Sequence, residues 1–145
     1  MSEHNRAVLA RLNDEVWRQG NVDVIDELMT EDFVDHTPPP GVTGDREGLK
    51  QFLSGVHAGL ADPQRTVEEH IEAGDRVVER WTLTAKHAGD WLGVPATGAQ
   101  ISVTGIDVYR FEDGRVADLR CEVDMLGLLG QLGAIPAGEP VGDPS

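Results

Sequence analysis

The sequence predicts an α+β domain in which N-terminal helices pack on an antiparallel sheet. Three observations carry this. Apolar residues recur with a helical period from the N-terminus to about residue 60, then alternate after Asp62-Pro63. Turn clusters at Ala73-Gly-Asp75 and Glu112-Asp-Gly114 divide the second half into consecutive strands. Helices first and strands afterwards is an α+β order, not the βαβ alternation of a parallel sheet.

The elements follow in turn. Residues 3–19 read as an amphipathic helix, with Val8, Leu12 and Val16 on one face, Leu9 and Trp17 beside them, and Gly20 as its stop. Asn21 caps a short second helix carrying Val22, Ile25, Leu28 and Met29. In Asp32-Phe-Val-Asp-His-Thr-Pro-Pro-Pro40 the prolines exclude helix and end any strand. Asp45 caps a third helix, with Leu49, Phe52, Leu53, Val56 and Leu60 on one face. Strands are expected over 66–73, 76–87, 99–111 and 115–124, with a Gly/Pro-rich loop over 88–98. A short helix runs to about Gly133, giving one domain over 1–133. Residues 134–145 read as a disordered tail.

Composition narrows the function classes. A chain of 145 residues suffices for one domain with a real core. The formal net charge of −14 argues against nucleic acid and anionic membranes, since phosphate binding needs a basic surface. No apolar run approaches the roughly 20 residues that span a bilayer, and Met-Ser-Glu-His-Asn-Arg is not a signal peptide, so a cytoplasmic protein is expected. The lone Cys121 can form no internal disulfide and reads as a buried, inert thiol. The histidines show no metal spacing, and phosphate-loop and nucleophile-elbow motifs are absent; no metal and no cofactor are expected.

Several residues are candidates for chemistry. Asp124 lies at the seam of the last strand and the last helix, beside Val123, Met125 and Leu126. Two roles are open to it: an acid/base whose pKa is raised by partial desolvation, or a helix cap. Strand 115–124 puts Asp118, Arg120, Glu122 and Asp124 on one face and Ala117, Leu119, Cys121 and Val123 on the other. The polar row lines a wet pocket or faces solvent. Arg120 suits a carboxylate or carbonyl ligand, or pairs with its neighbours on the surface. His87 ends an inward row of Val77, Trp81, Leu83 and Ala85 that only Glu79 interrupts. Trp81 reads as pocket wall. Trp91 reads as the wall of a lid or as a packed crossover. Asp107, in a mostly apolar strand, is expected to face the interior with Arg120 or Asp124 opposite, because a buried acid needs a partner. His70 reads as solvent-facing between Glu68 and Glu72.

The hairpin Tyr109-Arg-Phe-Glu-Asp-Gly-Arg-Val116, the following carboxylate and Gly127-Leu-Leu-x-Gln-Leu-Gly133 resemble the C-terminal signature of the SnoaL-like polyketide cyclases, or ester cyclases. His87-x-Gly89-x-Trp91-x-Gly93-x-Pro95-x-Thr97-Gly98 is the most specific match. The resemblance implies the cone-shaped α+β barrel of the nuclear transport factor 2-like superfamily, with one deep pocket. It also implies a cofactor-free, aldol-type ring closure of an apolar small molecule, with Asp124 as acid/base and His36 pointing into the cavity beside His87. Asp35 is expected to point the other way. Arg120 replaces the family's usual aromatic. Apolar residues on both faces of the sheet call for a homodimer. The same fold also hosts isomerases, epoxide hydrolases built on an Asp–Arg–Asp set, and non-catalytic binding modules.

Overall fold

The computed structural model describes residues 1–136; most of the segment expected to be a disordered tail lies outside the described residues. Ser2 caps the first helix, α1 (Glu3–Arg11), by accepting from Asn5 N–H at 3.1 Å. The helical chain continues as a wide π-helical stretch, Leu12–Arg18, and stops at Gly20, whose φ of 79° suits glycine. A 3₁₀ turn, Val22–Val24, leads into the short α2 (Ile25–Leu28) and then β1 (Met29–Asp35). Asp45 caps α3 (Arg46–Gly59) through Gly48 N–H at 2.8 Å. The strands β2 (Leu60–Ala73), β3 (Arg76–His87), β4 (Gln100–Glu112) and β5 (Arg115–Val123) follow, then α4 (Met125–Gln131).

The sheet order is β1-β5-β4-β3-β2. Two features refine the expected curved antiparallel sheet of the cone. The curved sheet stays open, with β1 and β2 as its edges, and β1 joins β5 in parallel. Strand β2 begins at Leu60, ahead of the expected residue 66. Pro63 is accommodated because the β2–β3 register slips between Ala61 and Gln64, at an irregularity where Asp62 takes φ 52°.

Alternation along the strands sends one face of the sheet under the helices. Two apolar lobes result. Val8, Leu12, Val16, Ile25, Met29 and Phe33 cover Val77, Tyr109, Phe111 and Val116. Val56, Leu60, Trp91, Leu128 and Leu132 gather with Trp81, Leu83, Ile101 and Val103. Trp17 and Phe52 pack against both lobes. Trp81 reaches this junction because Gly105 stands opposite it on β4; a Cβ there would lie 2.2 Å from the indole.

Candidate functional site

The junction of the lobes holds charge. Glu79 and Asp107 interrupt the apolar inward rows of β3 and β4 and are both buried. Arg65, inward on β2, meets them. Its Nη2 donates to Asp107 Oδ2 at 2.6 Å and to Tyr109 Oη at 3.3 Å. Its Nη1 donates to Asn13 Oδ1 at 3.1 Å and lies 3.9 Å from Glu79 Oε1. Tyr109 Oη donates to the same Asp107 oxygen at 2.8 Å. The guanidinium sits over two indoles, 5.6 Å from the Trp17 ring and 5.3 Å from the Trp81 ring. Asn13 and Trp17 both come from the π-helical stretch, a geometry that recurs at functional sites.

These neighbours set the protonation states. Burial works against the Arg65 charge, but Tyr109, Asp107 and Glu79 together hold its pKa above the usual value. Burial, reinforced by Asp107, pushes the Tyr109 hydroxyl well above its ordinary range and keeps it a neutral donor. Burial and Asp107 likewise push the Cys121 thiol up, in line with an inert cysteine. Asp35, at the end of β1, is also buried. Its Oδ1 accepts from Thr37 N at 2.9 Å and Thr37 Oγ1 at 3.3 Å, yet burial and the charge of Asp107 raise its pKa. Thr37 Oγ1 accepts from Cys121 N–H at 2.7 Å and ties this end of β1 to β5.

The structure divides the residues singled out from sequence. Trp81, Trp91, His87 and Asp107 lie inside. His87 is fully buried; its Nδ1 accepts from Thr97 N–H at 3.3 Å and lies 2.9 Å from Thr97 Oγ1, which closes the 88–98 loop. Trp91 exchanges backbone bonds with Val94 and packs on Gly59, where a Cβ would lie 2.5 Å from its own, so it is a packed crossover. Asp124, His36 and Arg120 are exposed. Asp124 is not desolvated: it caps α4, accepting from Gly127 N–H at 2.9 Å. His36 points out, with Nε2 2.6 Å from Asp118 Oδ1, and Asp35 points in, the reverse of the expected pair. Its strand parity explains this, because Phe33 and Asp35 share the buried face of β1. Arg120 belongs to the outer row of β5, so Asp107 pairs with Arg65 and with neither expected partner.

Arg65, Tyr109, Glu79, Asn13 and Asp35 were not singled out as site residues. The signal was present: Glu79 and Asp107 both break inward apolar rows, and two buried acids demand a buried cation. Arg65 falls just before the expected strand 66–73 and joins the sheet because β2 begins at Leu60.

Two cavities lie at the margins of the fold. One, of about 440 Å³, opens between α1 and β2 and reaches Asn13 and Glu79. The other, of about 580 Å³, is lined by Thr30, Glu31, Asp32, Glu112, Asp113 and Arg115. Among the described residues, no group of three or more histidine, cysteine or acidic side chains is arranged to hold a metal. No helix there is long and apolar enough to cross a membrane.

Comparison with known proteins agrees with this architecture. The chain is 27% identical over 134 residues to aklanonic acid methyl ester cyclase DauD of Streptomyces sp. (strain C5), covering 86% of this chain and 80% of DauD. It is 38% identical over 65 residues to aklanonic acid methyl ester cyclase DnrD of Streptomyces peucetius, a match spanning 45% of either protein. TsrD from Streptomyces laurentii superposes with a TM-score of 0.83 at 27% identity, over 93% of this chain and 99% of TsrD. A candidate SnoaL-like polyketide cyclase from Jannaschia sp. CCS1 gives 0.81 at 28% identity, over 94% and 98%. The SnoaL-like polyketide cyclase model matches residues 7–132, and the chain belongs to that family.

Proposed function

We propose that this protein closes a ring in a carbonyl-rich small molecule by cofactor-free acid/base catalysis, and that the chemistry belongs to the interior and not to the α4 cap. The observation that carries this reading is the set of unpartnered groups. Four buried side-chain polar atoms have no partner among the described residues. Three of them are inward-facing N–H donors, Arg65 Nε, Trp81 Nε1 and His87 Nε2; the fourth is the Thr30 hydroxyl on β1. Buried donors favour a ligand that presents acceptors, such as ketone and ester oxygens. The ester cyclases among the relatives support the same substrate class.

Asp35 is the acid/base of this reading, because its environment favours the proton. As carboxylate it takes a proton from a C–H flanked by carbonyls. The resulting enolate carbon bonds to a carbonyl carbon of the same molecule, and that carbonyl π pair becomes an alkoxide. Asp35 then returns its proton to the alkoxide. Arg65 and the Trp81 N–H stabilise the developing oxyanion. Asp107 and Tyr109 hold Arg65 in place. The indole faces of Trp17 and Trp81 supply a flat apolar wall.

A second reading has its own support. Arg65 between Asp107 and Glu79, with Tyr109 and Asn13 beside it, is a set that orients and activates a water, as a hydrolase or isomerase of small apolar molecules requires. Exposed Ile106 and Ile71 on the sheet favour a homodimer through its outer face.

The test is turnover of tricyclic polyketide methyl esters, followed by absorbance and mass, by wild type, Asp35→Asn, Asp107→Asn and Asp124→Asn. Loss of about 10²–10⁴-fold in Asp35→Asn is the expected scale for a missing general base, with Asp124→Asn near wild type. A dead Asp124→Asn beside an active Asp35→Asn would return the chemistry to the cap. An inactive wild type that opens epoxides instead would select the second reading.

A further inference from the structure

The edge strand β2 carries a second irregularity. Its register against β3 runs Arg65↔Leu83, Thr66↔Thr82, Val67↔Trp81, then slips to Glu69↔Arg80 and His70↔Glu79. Without the extra residue Glu69 would stand opposite Glu79, and His70 opposite Val78. A slip of one residue exchanges the faces of a strand, and bulges are used to re-aim side chains in this way. Here the bulge removes an acid from the buried Glu79 and puts an imidazole there. His70 stays exposed, as expected, but now stands on the face of Glu79 and reaches its carboxylate.

The contacts define its state. His70 Nδ1 lies 2.9 Å from Glu79 Oε2, and Nε2 lies 2.7 Å from Glu72 Oε2. A carboxylate can only accept, so a ring held between two of them is suited by the imidazolium, which donates from both nitrogens. Glu79 Oε1, its other oxygen, is the atom 3.9 Å from Arg65. Glu72 stands at the outer end. It accepts from Arg6 at 2.8 and 2.9 Å and lies 3.7 Å from the N-terminal ammonium. Arg6, His70, Glu72 and Glu79 line the cavity of about 440 Å³ that ends on Asn13, itself bonded to Arg65. One chain of contacts therefore runs from the surface through Glu72, His70 and Glu79 to Arg65.

We propose that His70 is a positioning residue for the Arg65 site: as a cation it bridges Glu72 to Glu79 and holds the Glu79 carboxylate against Arg65, so that losing the imidazolium charge frees Glu79 and re-aims the guanidinium over Trp81. The inference rests on reading the Arg65 cluster as the functional site. Every charged group facing His70 enters. The bond to Glu79 favours its protonated form most, burial opposes it, and Glu72 adds to it, so the ring titrates above an ordinary histidine. Arg6 and the N-terminal ammonium, from the α1 side, share Glu72 and temper its pull.

The experiment follows the Trp81 indole N–H, the His70 ring and the other indoles by ¹H–¹⁵N NMR from about pH 5.5 to about pH 9, the range that brackets a shifted histidine. In wild type the Trp81 signal is expected to move with the His70 midpoint. In His70→Gln that movement is lost. In His70→Lys, whose charge persists, Trp81 stays at its low-pH position throughout. A Trp81 signal that titrates unchanged in His70→Gln overturns the proposal, and so does one that is flat in wild type while His70 titrates. The readout needs no substrate: an inactive wild type with coupled signals would count against ring closure and leave the His70 linkage standing.

Discussion

Glu79 and Asp107 stand directly opposite each other on β3 and β4, both on the buried face. Like charges in facing positions destabilise a sheet. Arg65 resolves the conflict from the next strand, at 2.6 Å from Asp107 and 3.9 Å from Glu79. Arg65→Met keeps bulk and apolar contact with the indoles but leaves two buried acids uncompensated. Breaking such a buried arrangement costs about 3–5 kcal/mol. Urea unfolding should show that loss at neutral pH and a smaller one on acidification, as a proton relieves the repulsion. Equal stability of both proteins at neutral pH would remove Arg65 from this role.

Asp35 gives a signed pH dependence. Burial raises its pKa above the ordinary 3.8. Between the ordinary and raised values the folded state binds more protons than the unfolded one, so the Asp35 contribution to stability falls as pH rises through that window. Above it the penalty is fully present. Asp35→Asn retains an acceptor for Thr37 and carries no such penalty. It should be more stable than wild type at neutral pH, with the difference shrinking towards pH values below the ordinary carboxyl range. A difference independent of pH would contradict the burial argument.

Asp124→Ala tests the cap. Removing the acceptor of Gly127 N–H should cost about 1 kcal/mol, the usual loss at an N-cap. The same change should leave turnover near wild type if the interior performs the reaction. Thermal unfolding and the ester assay, run on one preparation, separate the two effects.

Gly105→Ala should overpack the junction. Its Cβ would meet Trp81 at 2.2 Å, and the facing strand offers little room to yield. Overpacking of this kind typically costs about 1–3 kcal/mol. A displaced Trp81 would also leave Arg65, so tryptophan fluorescence should change together with the unfolding midpoint.

Cys121 should resist thiol reagents. Burial and the neighbouring acids hold its thiol protonated. Labelling of this half-buried thiol by an aromatic disulfide at mildly alkaline pH should be slow in the native protein, because the thiolate is scarce, and should accelerate sharply in urea. Rapid labelling of the native protein would show that the β4–β5 interior is more open than its packing indicates.

The order of helices and strands was legible because periodicity and turn chemistry are local. Val8, Leu12 and Val16 announce a helix without knowledge of their partners, and Glu112-Asp-Gly114 announces a hairpin. The inward positions of Trp81, His87 and Asp107 were legible for the same reason, since alternation assigns faces within one strand. The candidate site was less so. Asp124 reads equally well as acid or cap until its exposure is known, and His36 and Asp35 exchange faces on a parity that only the pairing of β1 with β5 establishes.

The sequence by itself determined the α+β order, the Asp45 cap, the hairpins, and the need of an inward Asp107 for a partner. Only the tertiary structure decided that Arg65 is that partner, that the sheet remains open, and that His70 faces Glu79. The physical reason is register. Which residues meet across strands depends on irregularities beside Pro63 and after Val67, and a shift of one residue there reverses every face that follows.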